Sequence, residues 1–115
     1  MYCTPSSQIK TVSIPKTVNA SIGVLSPEHE EDFLVRKVTL TEGGSMPYHT
    51  NTIQHQQYVL NGEAKVVIGE ETYRAKAGDF LYIPAGVPHS YEACYGSDYT
   101  FLCMITTAED EITLL

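Results

Sequence analysis

Apolar and polar residues alternate along much of the chain with a period of two, the spacing of a strand with one buried face. From Phe33 to Thr41, Leu34, Val38 and Leu40 share one parity, with Arg36 among them. Tyr58-Val59-Leu60 leads into Asn61-Gly62 and then into Glu63-Ala64-Lys65-Val66-Val67-Ile68. Asn-Gly between two apolar runs predicts a hairpin, because both residues of that tight turn must accept positive φ. Gly69-Glu70-Glu71 predicts a second turn before a strand from Thr72 to Ala75, and Ala77-Gly78-Asp79 a third. A strand over Phe80-Leu81-Tyr82-Ile83 stops at Pro84-Ala85-Gly86-Val87-Pro88, and further strands fit His89 to Tyr95 and Tyr99 to Thr107. Turn signals spaced roughly 8–12 residues apart point to a sandwich or a closed barrel. Helical spacing is scarce, and the acidic run Glu28-His29-Glu30-Glu31-Asp32 reads as a solvated loop.

Composition agrees with the pattern. Thr, Val and Ile together supply 29 of the 115 residues, beside 8 Tyr, and such side chains suit a pleated, half-buried surface. The length fits one domain. The chain divides into an N-terminal arm with the first strands (1–32), contributing to the barrel or to a dimer, a barrel core (33–107) and a C-terminal tail (108–115). Asp and Glu number 14 against 7 Lys and Arg, a net charge of −7. That excess argues against nucleic acid as a partner, since phosphate backbones are gripped by Lys and Arg. No run approaches the roughly 20 apolar residues that span a bilayer, and Met1-Tyr2-Cys3-Thr4-Pro5-Ser6-Ser7 lacks the basic start and apolar run of a secretory signal. Three cysteines, Cys3, Cys94 and Cys103, form neither an even set nor a CxxC pair. Reduced thiols in a cytoplasmic protein are expected.

The chemistry lies in the histidines. His29, His49, His55 and His89 would each, taken alone, read as surface or hydrogen-bonded core residues. Placement changes that for three of them. His49 and Asn51 are two apart and face one side of a strand, His55 has the same parity at the start of the next, and His89 follows the Pro-rich turn. A closed barrel can bring all four of these side chains onto its inner wall.

The pattern resembles the two-motif signature of the cupin superfamily. The first motif runs Gly, five residues, His-x-His, three residues, Glu or His, six residues, Gly. This chain has Gly43, His49, Asn51, His55 and Gly62 at those positions. The second runs Gly, five residues, Pro-x-Gly, two residues, His, three residues, Asn, and here it is Gly78, Pro84, Gly86 and His89, with Ala93 at the last position. Residues 63–77 separate the two, as in small single-domain members. The resemblance covers about residues 33–106 and implies an all-β fold, the cupin-type jelly-roll β-barrel (a double-stranded β-helix). It further implies one divalent transition metal, Zn, Mn, Fe, Ni or Cu, near the barrel mouth, and a homodimer as the default assembly, with Ile9–Ile14 suited to adding a strand to the partner.

Carried over residue by residue, the metal ligands are His49, His55 and His89, with Asn51 where the family has its second His. An amide oxygen is a weaker ligand for such metals than imidazole. Asn51 therefore either binds through its oxygen, or leaves that position to water, or marks a lineage that has lost its metal. Three imidazoles still meet the ligand count of a catalytic zinc site, which favours retention. No acid falls at a ligand position.

Candidates on the substrate side are Gln57, Tyr82, Arg36 and Cys103. Gln57 shares the parity of His55, so its amide points inward and takes its partner either from substrate or water or from a neighbouring strand. Tyr82 is a weak candidate for proton transfer and, with Tyr48, Tyr58 and Tyr91, a candidate for the mouth. Arg36 is either inward, paired or ready for a carboxylate substrate, or outward as a surface charge. Cys103 is either a soft, oxidisable group near the metal or plain core. Three readings compete. One is a metal-dependent enzyme acting on a small organic molecule, dioxygenase-like or an isomerase or lyase. The second is a non-catalytic small-molecule-binding or sensor barrel, with or without metal. The third is a metal-free barrel whose role is assembly. No residue stands out as a general base, which favours oxygenation or Lewis-acid activation over proton shuffling.

Overall fold

A computed structural model describes residues 2–115. It is built of ten strands: β1 (Thr11–Ser13), β2 (Val18–Val24), β3 (Phe33–Asn51), β4 (His55–Asn61), β5 (Glu63–Ile68), β6 (Glu71–Lys76), β7 (Phe80–Ile83), β8 (His89–Ala93), β9 (Tyr99–Thr106) and β10 (Ile112–Leu114). Among the described residues the one helical element is a single 3-10 turn at Ser6–Gln8. The strands run in the order β6-β5-β8-β3-β9-β4-β7, with β2 and β10 also on β3 and β1 on β2, every pair antiparallel. This curled sheet is the expected jelly-roll barrel. The acidic run 28–32 is loop, as expected.

β3 joins the two halves. Phe33–Leu40 pairs with β9, whereas Ser45 to His49 pairs with β8. Residues 41–44 turn the corner between them. Gly43 has φ +77, and a Cβ on Gly44 would lie 2.8 Å from the carbonyl oxygens of both Thr41 and Val18. A side chain at Gly44 would therefore push the corner apart.

Asn61-Gly62 does not make the expected hairpin. β4 pairs with β7 and β9, while β5 pairs with β6 and β8. Of the two residues only Gly62 has positive φ, +81, so the tight turn that needs both cannot form. Instead the chain crosses from one half of the barrel to the other beneath Asp98, whose backbone oxygen accepts from Asn61 Nδ2 at 2.9 Å. The Gly69 turn does close a hairpin, β5 with β6.

Register arranges the interior in layers. His49 lies opposite His89 on β3 and β8, and His55 joins them from the first position of β4. One step further in, Arg36, Cys103 and Gln57 are level across β3, β9 and β4. Val38, Phe101 and Val59 follow across the same three strands, and Leu40 with Tyr99 lies beyond. The interior thus passes from polar at one end to largely apolar at the other, where Leu40, Val59, Ala64, Val66 and Tyr99 are completely buried.

Both termini reach the polar end. The arm pairs along one edge with its own chain, Thr11–Ser13 against Ser21–Gly23. The C-terminal tail returns as β10, aligning Ile112, Thr113 and Leu114 with Asn51, Thr50 and His49. Among the described residues no helix is long and apolar enough to cross a membrane, and Cys3, Cys94 and Cys103 are all free.

Candidate functional site

A cavity of about 260 Å³ opens at the polar end. His49, Asn51, His55 and His89 all line it, and all four are buried. Two of the imidazoles are held alike. His49 Nδ1 lies 2.7 Å from the carbonyl oxygen of Pro47, and His89 Nδ1 lies 3.0 Å from that of Val87. A carbonyl can only accept, so each Nδ1 carries a proton, and in the neutral ring the lone pair is then on Nε2. The two rings lie 4.2 Å apart between centroids.

His55 is engaged on both sides. Its Nε2 lies 3.0 Å from Asp110 Oδ2 and its Nδ1 3.4 Å from Cys103 Sγ. Its centroid is 6.4 Å from that of His89. As the side chains stand, no group of three His, Cys, Asp or Glu among the described residues is gathered closely enough to hold an ion. The donors nonetheless suit one. In their neutral forms His49 and His89 each offer an Nε2 lone pair, and Asn51 Oδ1 is a buried acceptor with no partner. Neutral imidazoles joined by an oxygen donor form a set for a divalent transition ion.

Beneath the histidines lies the Arg36, Cys103 and Gln57 layer. Gln57 Nε2 donates to the Tyr91 hydroxyl at 2.8 Å, and that hydroxyl can donate to Gln57 Oε1 at 3.1 Å, so the amide is satisfied from β8 across the barrel and not from a strand beside β4. Arg36 faces inward, with Nη2 3.3 Å from Cys103 Sγ and a buried Nε that has no partner. Burial pushes the Cys103 thiol pKa up, only partly opposed by the Arg36 charge. Tyr91 is likewise pushed up by burial. Ile14, Ile22, Val38, Met46, Phe101 and Ile112 supply apolar wall.

Tyr82 is a correction. It lies on the outer face, 49% exposed, because β7 turns Leu81 and Ile83 inward and pairs Tyr82 with the outward Gln56. Tyr58 and Tyr48 are also exposed, the latter donating to the Gly69 carbonyl at 2.8 Å, and of the four tyrosines only Tyr91 lines the cavity. Asp110 is the residue that sequence reasoning missed. It is the single acid in the cavity wall, yet it stands 55 positions from its partner His55 and outside both motifs. The only local signal was the short β-favouring run Ile112-Thr113-Leu114 after it.

Residues 36–105 match the cupin domain family, and with well over half of the chain matched, this protein belongs to that family. A 51-residue stretch is 37% identical to quercetin 2,3-dioxygenase of Bacillus subtilis (strain 168), covering 44% of this chain and 15% of that enzyme's length. The fold is similar to that of the polyketide cyclase RemF from Streptomyces resistomycificus, with a TM-score of 0.89 at 22% identity over 100% of this chain and 85% of that one. It is also similar to a predicted oxalate decarboxylase from Thermotoga maritima, with a TM-score of 0.77 at 24% identity over 91% and 98% of the two chains. At such identities the structural likeness is one of fold.

Burial pushes His89 down to about 4, overcoming the Val87 hydrogen bond that favours its charged form. Unfolded, the same ring takes its proton near 6.5. The unfolded chain therefore binds more protons between those values, and stability falls as pH drops through that window. Urea unfolding of chelator-treated protein at about pH 7 and about pH 4.5 tests this. Wild type should lose on the order of 2–3 kcal/mol more than His89→Gln over that interval, and equal losses would contradict it.

Proposed function

We propose that the protein is a metal-dependent cupin that binds one divalent transition ion through His49, His55 and His89, with Asn51 Oδ1 as a further donor, and acts on a small organic molecule. The observation that carries this reading is the matched pair of backbone-anchored imidazoles, His49 and His89, both with free Nε2 in one cavity. A side chain serving only the core has no need of a fixed tautomer facing a cavity.

When bound, such an ion supplies Lewis-acid polarisation of an oxygen donor and, if redox-active, a site for oxygen chemistry. The chain's own residues set what can enter. The apolar wall takes a hydrocarbon face, while the unpartnered Arg36 Nε can donate to an anionic or carbonyl oxygen. An apolar cavity of about 150 Å³ holds benzene, so 260 Å³ suits one substituted ring or a molecule of that size. A phenol, enol or dione of one ring fits. The stretch similar to quercetin 2,3-dioxygenase supports oxygenation; of the inner polar residues, Gln57 cannot titrate and Tyr91 is held protonated by burial.

Three free thiols support the cytoplasm as its compartment. The outer face of β4 and β7 exposes Tyr58, Leu60, Phe80 and Tyr82, which supports a second copy of this chain as its partner. Sedimentation should then give a dimer that Tyr82→Asp weakens. A wild-type monomer at all concentrations would remove that part of the reading.

The site is tested by elemental analysis of protein purified without added metal, followed by oxygen uptake against catechols and diones. About one ion per chain is expected, lost in His89→Ala, with uptake on at least one compound. Less than about one-tenth of an ion per chain would contradict the metal site. Full metal content with no turnover on any compound would replace the enzyme with a binding or sensor role.

A further inference from the structure

We propose that Asp110, brought to the cavity by the C-terminal strand, is a further ligand of that metal, an anionic donor that completes the set formed by His49, Asn51, His55 and His89. The inference rests on the metal-binding reading above and concerns a residue that lies outside both motifs.

Distance is the first argument. Asp110 Oδ2 lies 3.0 Å from His55 Nε2 and 3.1 Å from Asn51 Nδ2. Adjacent donors on an ion with bonds of about 2.1 Å are separated by about 3.0 Å in octahedral and about 3.4 Å in tetrahedral geometry. The carboxylate oxygen already stands at ligand-to-ligand spacing from His55 Nε2, while Asn51 donates to it through Nδ2 and keeps Oδ1 free. An ion entering between them would take His55 Nε2 and Asp110 Oδ2 together, in place of the hydrogen bond they now share.

The two carboxylate oxygens have different surroundings. Oδ1 accepts from the backbone N–H of Thr52 at 3.0 Å and of Ile53 at 3.4 Å. Glu111 N donates to Thr52 Oγ1 at 2.8 Å, and β10 then pairs along Asn51, Thr50 and His49. The strand that carries His49 and Asn51 therefore also anchors the carboxylate. One oxygen is tied to backbone, and the other is aimed at the ligands, which is how ligating carboxylates are oriented.

Charge gives the third argument. Arg36 is the one fixed cation in the cavity wall and Asp110 the one carboxylate. A dication held only by neutral imidazoles and an amide would add two positive charges beside the guanidinium, in largely buried surroundings that screen them less than bulk water. A ligating carboxylate offsets one of them.

Co(II) titration of the full chain, with competition against a chromophoric chelator, tests the assignment. Asp110→Asn keeps the size and one hydrogen-bonding oxygen but loses the charge. It should weaken Co(II) binding on the order of 10–100-fold and alter the visible d–d bands, whereas Asp110→Glu should restore much of the affinity. A separate reading needs no variant: zinc loading of wild type should shift a carboxylate band in the infrared difference spectrum. Wild-type affinity and an unchanged Co(II) spectrum in Asp110→Asn, or no carboxylate shift in wild type, would overturn the proposal. If His89→Ala abolishes binding in the same series, the histidine site survives that failure. Wild type that takes up no Co(II) would overturn both.

Discussion

Register across β3, β9 and β4 is the constraint on which the cavity depends. Arg36, Cys103 and Gln57 are level, and so are Val38, Phe101 and Val59 one step further in. Side chains alternate along a strand, so a slip of one residue would send Gln57 outward and carry Gln56 or Tyr58 into the barrel. The apolar layers resist that slip, since Val59, Tyr99 and Phe101 would all be exposed by it. The hydrophobic end thus fixes the position of the polar end, and the histidines are held in place by residues that never touch them.

Placing polar groups in such a barrel is costly unless each finds a partner. Most do. His49 and His89 use carbonyls two residues back on their own chain, Gln57 and Tyr91 satisfy each other, and His55 lies between Asp110 and Cys103. The atoms left over are informative because they are few. Asn51 Oδ1 and Arg36 Nε are two of the three buried side-chain polar atoms without a partner among the described residues, and both residues line the one cavity that holds the histidines. They are the atoms that the proposed cation and an acceptor-bearing molecule would engage.

The parity of inward residues was legible in the sequence, and so were most strand limits, because both follow from short-range alternation and from turn residues such as Gly69 and Pro84. The cavity positions of His49, Asn51, His55 and His89 were legible as well, through fixed spacing within two segments. Contacts that depend on where the chain returns were not. Asn61-Gly62 reads as a hairpin locally, but β5 finds β8 rather than β4, a choice made by the whole barrel. Asp110 reads as one acid in an acidic tail, and only the pairing of β10 with β3 turns it toward His55. Tyr82 was misread for a different reason, because its parity opposes that of Leu81 and Ile83 and the alternation was there to be used.

The central claim is that three imidazoles share one ion at the barrel mouth. Diffraction from crystals of the metal-loaded protein, recorded at the absorption edge of the metal, tests it most directly. The account predicts one strong anomalous peak at about 2.0–2.2 Å from Nε2 of His49, His55 and His89. A peak that touches surface groups instead, or no peak within reach of His89, would contradict it.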